Sequence, residues 1–583
     1  MADNEASNTD LPLRMAAMPS MELLIAYGSQ TGTAEAAAWD VHREVSSREN
    51  ITSYVIEGNA VRFDCLSYHK NIDIYIFIIA TTGQGDFPET FQSSWEFLLK
   101  KNLRNTYLSP FRFTVFGLGD SRYAEFNSAA RKFRSRLLQL GGEEIYRIGL
   151  GDDRHDFGYE TEFDPWIMGF CEHLFPSYPY KQTMESSREM HLPSPKYSVN
   201  VLYPSLGFPS QFSSYLEKYS KNNSPKRIYP ATNEILPTFK VLTNKRLSDP
   251  SHFQNIRSLH LESPSYATGD VCCLYPVVDK TVVSSFLETL QLDPHIIVCI
   301  YETKNSSYIS LPADKSKYLS PLPLWGFPTT LEMLFSHYFD ITAKPTRYFF
   351  YYLSLFAREV IHQEKLQLFS QRTIEGKEEF YMYCRDERRS YAEIFWDFGS
   401  AKPPLEHLLS MLPLMKSRKY SISNSPAWNF SAAFWNPLYL ESFLFFFSLP
   451  SYIKFCLWTT KTFTNPTKIL SLLQKLQRLL LSPLASKCSP HVELCVALVE
   501  YKTKLQRPIR GTCSAFIDSL LEGDSLHLYI ERGFHPLPSS YVDPTRWESL
   551  LMICPGTGVA PCRSIIQSRH LYCMSNGRIE EGE

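Results

Sequence analysis

Residues 80–88 read Ala80-Thr81-Thr82-Gly83-Gln84-Gly85-Asp86-Phe87-Pro88, and they follow the apolar run DIYIFIIA at 73–80. A short, continuous apolar run that ends in hydroxyl residues and glycines predicts a strand buried on both faces, with a loop at its carboxyl end. The same pattern recurs on either side. Residues 22–27 are a short apolar strand, followed by Ser29-Gln30-Thr31-Gly32-Thr33-Ala34 and a predicted helix over 33–47. Residues 112–116 form another strand, followed by Gly117-Leu118-Gly119-Asp120-Ser121-Arg122-Tyr123-Ala124-Glu125-Phe126-Asn127. A helix is expected over 124–140, stopped by Gly141-Gly142, and a further strand over 144–148. Strands alternating with helices imply a doubly wound parallel sheet covered on both faces, closing near Pro165-Trp166.

The three loops carry the chemistry. All leave the carboxyl ends of strands, where open α/β sheets bind ligands. In Ser29–Ala34, small and hydroxyl side chains let backbone N–H groups and a helix N-terminus surround a phosphate with neutral donors. Taken alone, this segment reads equally well as an ordinary capped helix start. The other two loops favour the ligand reading: their glycines let a flat ring approach the backbone, and Tyr123 can stack on it.

Composition sets the limits. The chain has 583 residues, room for three or four domains, with 44% hydrophobic and 21% charged residues, as in a globular protein. A net charge of −2 argues against nucleic-acid binding. The 13 cysteines include no Cys-x-x-Cys pair and no zinc-spaced Cys/His cluster, so reduced thiols and no metal are expected. Residues 1–20 contain no apolar run that would serve as a membrane anchor. The apolar stretch 439–458 is interrupted by Glu441, Pro450 and Lys454, which are costly in a bilayer.

Beyond the sheet, 179–237 turns to Ser, Pro, Lys and Tyr and reads as a linker. Strands are expected at 241–247, 271–275, 491–501 and 525–532, with a long helical stretch over 329–412 between them. In Arg418-Lys419-Tyr420-Ser421, an arginine beside an aromatic and a hydroxyl can clamp a diphosphate and pack on a ring. Gly511-Thr512-Cys513-Ser514 can add backbone donors, with Cys513 filling a structural position. A last strand, 550–554, runs into Pro555-Gly556-Thr557-Gly558-Val559-Ala560-Pro561, a glycine turn suited to a dinucleotide. Arg563 beyond it reads as a solvated helix residue.

These motifs, in this order, resemble the NADPH-dependent diflavin reductases. The first part resembles flavodoxin with bound FMN. The resemblance implies that Ser29, Gln30, Thr31, Gly32, Thr33 and Ala34 hold the FMN phosphate. It implies that Ala80, Thr81, Thr82, Gly83, Leu118, Gly119, Asp120, Ser121, Arg122, Tyr123, Ala124, Glu125, Phe126 and Asn127 flank the ring. In Gly149-Leu150-Gly151-Asp152-Asp153, it implies that Asp153 contacts FMN. Arg389, Arg418, Lys419, Tyr420, Ser421, Gly511, Thr512, Cys513 and Ser514 then correspond to FAD-binding positions, Ser421 being the catalytic one near the flavin N5, and Thr557 to an NADP contact. Thr82 stands where the microsomal cytochrome-reductase branch has a second stacking Tyr. Thr-Thr-Gly-Gln-Gly and Asp164-Pro165-Trp166 are instead typical of the soluble diflavin reductase of cytosolic iron–sulfur protein assembly.

The resemblance implies an α/β multidomain protein. A flavodoxin-like FMN domain at 20–170 and a linker at 171–237 precede an antiparallel β-barrel FAD domain with a helical connecting subdomain at 238–426. An apolar insertion at 427–483, the rest of the barrel at 484–546 and a truncated start of an α/β NADP-binding domain at 547–583 complete it. FMN, FAD and NADPH are the cofactors implied, with an anamorsin-type iron–sulfur protein as acceptor in the cytoplasm. Two alternatives stay open: a cytochrome-reductase-like enzyme with another acceptor, and a flavin-binding scaffold without NADPH turnover, because the nucleotide domain is only begun. Residues 427–483 have no counterpart in the family and are expected to be a lineage-specific insertion or a retained non-coding segment. Joining Pro426 to Leu484 would restore a family-like sequence.

Overall fold

The computed structural model describes residues 19–65, 71–83, 85–180, 192–202, 236–302, 328–426, 491–533, 550–554 and 556–575. The expected insertion at 427–483, the apolar stretch 439–458, Gln84 and Pro555 lie outside the described residues.

The first unit runs β1 (Met21–Gly28), α1 (Thr33–Ser46), β2 (Ile51–Glu57), β3 (Ile74–Ala80), α2 (Glu89–Leu98), β4 (Arg112–Gly119), α3 (Ser128–Gln139), β5 (Glu143–Glu144), β6 (Gly149–Asp152) and α4 (Glu160–Leu174). Its strands are all parallel, in the order β2-β1-β3-β4-β5 with β6 also on β4. Alternation along each strand supplies both faces. Leu23, Ile25, Ile76 and Ile78 pack beneath α1 and α4 with Phe163 and Trp166. Leu24, Ala26, Phe77 and Ile79 pack against α2 and α3 with Phe91 and Phe133. Here the sequence expectation needs two adjustments. The helix begins at Ser128 rather than 124, because Asn127 takes a left-handed turn. Of the strand expected at 144–148 only Glu144 is extended, in β5; residues 145–148 are irregular and β6 begins at Gly149.

The second unit begins inside the stretch read as a linker, where β7 (Tyr197–Leu202) forms. There follow β8 (Thr238–Arg246), β9 (Ile256–Glu262), β10 (Val271–Leu274), α5 (Lys280–Leu290), β11 (Ile297–Glu302) and β12 (Thr329–Thr330). The long helical stretch is six short helices: α6 (Leu331–His337), α7 (Arg347–Ser354), α8 (Val360–Ser370), α9 (Ile374–Phe380), α10 (Tyr391–Asp397) and α11 (Leu405–Met411). A π-helical turn, Tyr381–Arg385, interrupts them. The chain continues with β13 (Arg418–Ser421), β14 (His491–Ala497), β15 (Glu500–Lys502), β16 (Pro508–Arg510), α12 (Thr512–Ser519), β17 (Ser525–Glu531) and α13 (Val559–Ser575).

Six strands form an antiparallel sheet in the order β13-β10-β17-β8-β9-β14. A bridge from Ile422 to Leu494 brings its two edges together. Leu259, Leu261, Val492, Leu494 and Leu528 fill its interior, which Cys513 and Ile517 of α12 help to cover. The six helices share a core of Phe and Leu side chains with α5 and β11. The strand expected at 550–554 does not form. A parallel strand needs a neighbour, and among the described residues none pairs with it; the chain instead makes a 3-10 turn, Gly556–Gly558, that opens α13. No described helix is long and apolar enough to cross a membrane.

Candidate functional site

The strand order of the first sheet reverses between β1 and β3, and the loops after β1, β3 and β4 converge at that crevice. In the first loop, Ser29 is buried and its hydroxyl accepts from Gly32 N at 2.9 Å, while its own N–H donates to Thr90 Oγ1 at 2.8 Å. The loop is thus folded before any ligand arrives. Gly32 caps α1 with φ 97°, which disfavours any side chain, and no side chain caps the helix. The first amides of a 14-residue helix therefore remain available to an anion.

The second loop is a tight turn. Thr82 and Asp86 bridge, with Asp86 N donating to Thr82 O at 2.8 Å. Gly85 has φ 93°, and a Cβ there would lie 2.5 Å from Ser128 Oγ. Beside it, Thr81 Oγ1 is buried with no hydrogen-bond partner. Asp152, at the end of β6, accepts from the N–H groups of Ser121 in the third loop (2.9 Å) and of Arg154 (3.0 Å). Burial would raise its carboxyl, but these bonds outweigh that and lower it. Asp120 is paired with Arg122. Asn127 donates to Gly151 O at 3.0 Å and ties this loop to β6. Tyr123 is 67% exposed, so its ring face is open to a stacking partner. A preformed neutral phosphate loop, an orphaned hydroxyl and a bare ring fit FMN.

In the second unit, Arg418 donates to Lys416 O at 2.8 Å and meets Asp340 at 3.3 Å. Lys419 pairs with Glu531 at 2.6 Å and with Glu89 of the first unit. The Tyr420 hydroxyl donates to Cys513 Sγ at 3.2 Å, and Ser421 is exposed. Gly511 caps α12, which has no side-chain cap, and Ser514 Oγ accepts from Val499 N at 2.8 Å. Cys513 lies in the first turn of that helix rather than in a loop. Its thiol is raised by burial, which leaves it unreactive as a nucleophile.

One cavity of about 1210 Å³ joins the two sites: Gln30–Thr33, Thr82 and Gly83 line one side, and Arg418, Lys419, Gly511 and Thr512 line the other. Further cations line it, including Lys344, Arg388, Arg507 and Arg510. Burial, helped by Arg388 and Arg385, lowers Lys344 to about 8. A cationic wall beside an open helix N-terminus fits the diphosphate of FAD. Arg389 is not on that wall. Its guanidinium pairs with Asp397 and lies over the Tyr383 ring at 4.4 Å. Arg388 takes the wall position, with φ 53°.

Sequence reasoning missed two buried charge clusters. The first joins the two units. Arg347 (α7) donates to Asp164 Oδ1 at 2.7 Å and Oδ2 at 3.1 Å, and reaches Glu160 at 3.1 Å. Arg372 reaches Asp164 at 3.3 Å, Asp40 at 3.5 Å and also Glu44, while Lys377 reaches Asp164 at 2.7 Å. The second lies between β9, β14 and α13. Arg563 Nη1 donates to Glu493 Oε2 at 2.6 Å, so Arg563 is not a solvated residue. His260 and Glu493 are opposed across the ladder, and His491 lies two residues along the same face. The three could hold a metal ion. However, the carboxylate is committed to Arg563, and a dication beside a buried guanidinium would be strongly repelled. Nearby, Asn424 Nδ2 donates to His491 O at 3.0 Å, and its Oδ1 accepts from Glu493 N at 2.9 Å.

Residues 25–166 match the Flavodoxin family and residues 231–430 the FAD binding domain family. The chain is similar to proteins named NADPH-dependent diflavin oxidoreductase 1. It is 30% identical to that of Xenopus laevis over 575 residues, 96% of this chain and 80% of the relative. It is 30% identical to that of Schizosaccharomyces pombe (95% and 79% covered) and 29% identical to that of Arabidopsis thaliana (95% and 78%).

Proposed function

The chain belongs to the NADPH-dependent diflavin oxidoreductases, and from that membership we propose that it passes electrons from NADPH through FAD and FMN to an iron–sulfur acceptor protein. It is an oxidoreductase of FMN, FAD and NADPH. When bound, the flavins supply the redox chemistry, taking an electron pair from the nicotinamide and releasing electrons singly. The cavity onto which Gln30–Thr33 and Gly83 open from one side and Arg418, Gly511 and Thr512 from the other carries this reading, because both phosphate-binding loops then share one space.

The chain's own residues bind and orient. Ser29–Ala34 present amides and hydroxyls to the FMN phosphate. Thr81 offers its orphaned hydroxyl, and Tyr123 covers a ring face. Arg418, Gly511 and Thr512 hold the FAD diphosphate, with Arg388 in place of Arg389 on the cavity wall. Tyr420, fixed by Cys513, packs on the second ring, and Ser421 offers a hydroxyl at its edge. The antiparallel sheet, joined at Ile422 and Leu494, acts as a closed barrel. The Gly556–Gly558 turn, with Thr557, receives the nicotinamide nucleotide.

The acceptor is an anamorsin-type iron–sulfur protein of cytosolic cluster assembly. The family resemblance supports this, as does the exposed carboxylate Asp153, which suits a basic docking partner, whereas Glu125 is shared with Lys132. Purified protein is expected to carry one FMN and one FAD per chain and to bleach with NADPH under anaerobic conditions. Flavin-loaded protein that NADPH does not bleach would refute the reductase reading.

A further inference from the structure

The buried side of α13 carries polar groups, Ser564 and Gln567, beside the apolar Ala560 and Ile565. Arg563, Ser564, Gln567 and Ser568 fall at one helical face and all dock on the short segment after the flavin strand β13. Arg563 Nη1 donates to Ser423 O at 3.0 Å as well as to Glu493. Ser564 Oγ donates to Asn424 O at 2.9 Å, and Gln567 Oε1 accepts from Ser425 N at 2.8 Å. Ser568 Oγ meets Ser425 Oγ at 2.9 Å and Thr268 Oγ1 at 2.7 Å. Ser564 and Glu493 are essentially inaccessible to solvent.

An apolar helix face can slide along its partner with little change in energy. Directional bonds to three successive residues fix both register and rotation. The glycine turn that opens α13 therefore stands at a set position relative to β13, which carries Tyr420 and Ser421 two to five residues upstream of the docking segment.

We propose that Arg563, through Glu493 and Ser423, is a positioning residue that sets the Gly556–Gly558 turn against the flavin strand, so that a nicotinamide nucleotide held at the turn meets the flavin at a fixed depth. This rests on the NADPH reading above. It assigns Arg563 to alignment rather than to nucleotide affinity. A misplacement of about 1 Å at a reacting centre costs roughly 100-fold in rate, while binding contacts made elsewhere persist.

The test uses the full chain loaded with FMN and FAD. Arg563→Gln alone would strand a buried carboxylate, so Arg563→Gln/Glu493→Gln is made beside it, with Arg563→Lys as the conservative variant and exposed Ile566→Gln as control. The double variant is expected to keep its FAD and to show faster amide exchange in both Ser423–Ser425 and α13. Its anaerobic bleaching by NADPH should slow by roughly 10- to 100-fold, with KM changed by less than about threefold. Arg563→Lys should recover most of the rate, and Ile566→Gln should match the wild type. A double variant with wild-type bleaching would overturn the proposal, as would a rise in KM alone. If NADPH fails to bleach the wild-type protein, the NADPH reading is lost and the alignment role with it. The exchange data then still decide whether α13 is pinned as described.

Discussion

The two buried charge clusters solve the same problem differently. Between the units, Asp164 is shared by Arg347, Arg372 and Lys377, and Asp40 is approached by Arg43, Arg347 and Arg372. Within the second unit, Glu493 has Arg563 as its one arginine or lysine partner among the described residues. The first cluster is redundant and can lose a member. The second rests on one guanidinium, with the His491 imidazole 3.4 Å from the same carboxylate, and loss of the guanidinium leaves a charge in the protein interior. An interface between units that carry separate cofactors is therefore held by many replaceable contacts, and alignment within one unit by a few irreplaceable ones.

The largest effect should come from breaking the single pair. Arg563→Met is expected to cost about 3–5 kcal/mol, the usual penalty for stranding a buried partner, measured by urea unfolding followed at the second unit. Lys377→Met should cost only about 1–2 kcal/mol, because Asp164 keeps two arginines. Equal losses for the two variants would erase the distinction.

Acid should separate the clusters next. Burial pushes the Glu493 carboxyl up, but Arg563 and the neighbouring imidazoles outweigh it and hold it at about 2. Its depressed value means stability that is present above the unfolded value near 4.5 and lost as pH falls towards 2. Burial, with His491 and Arg563, lowers His260 to about 4 against the pull of Glu493. The unfolded imidazole therefore binds protons first, and stability at this seam also falls from pH 6.5 to about 4. Between the units the directions oppose. Asp40 is lowered to about 2, its burial outweighed by Arg43, Arg372 and Arg347, whereas burial raises Glu160 despite Arg347. Amide exchange from pH 7 to 4 should loosen α13 before α4, and His260→Asn should delay the loosening. Simultaneous loosening would count against the assignment.

The smallest effect is at the half-exposed Lys419–Glu89 pair, which also joins the units. Glu89→Gln should change stability by less than about 1 kcal/mol, since solvent screens the pair.

What the sequence revealed follows from distance along the chain. The parallel sheet and its three loops were legible because each strand, loop and helix is contiguous, and glycine and hydroxyl residues mark the strand ends. The joint between the units was not, because Arg347 and Asp164 stand 183 positions apart. Their helices look like ordinary solvated ones until they meet. Arg563 was misread for the same reason: its polar face suggests water, and its cover comes from Ser423, 140 positions away. Arg389 came from its motif alone, which does not reveal that its guanidinium pairs with Asp397 while Arg388 lines the cavity. The glycine turn before α13 was visible, but the strand expected before it lacked the pairing that a strand requires.

Asn424 has a wider consequence. Its side chain bonds to the backbone of His491 and Glu493, so it ties the segment after β13 to β14 at the two edges of the antiparallel sheet. The closure entropy of a longer connection between these two points is small, about 0.6 kcal/mol for each doubling, so the pairing of the two edges does not hinge on the length of chain that joins them.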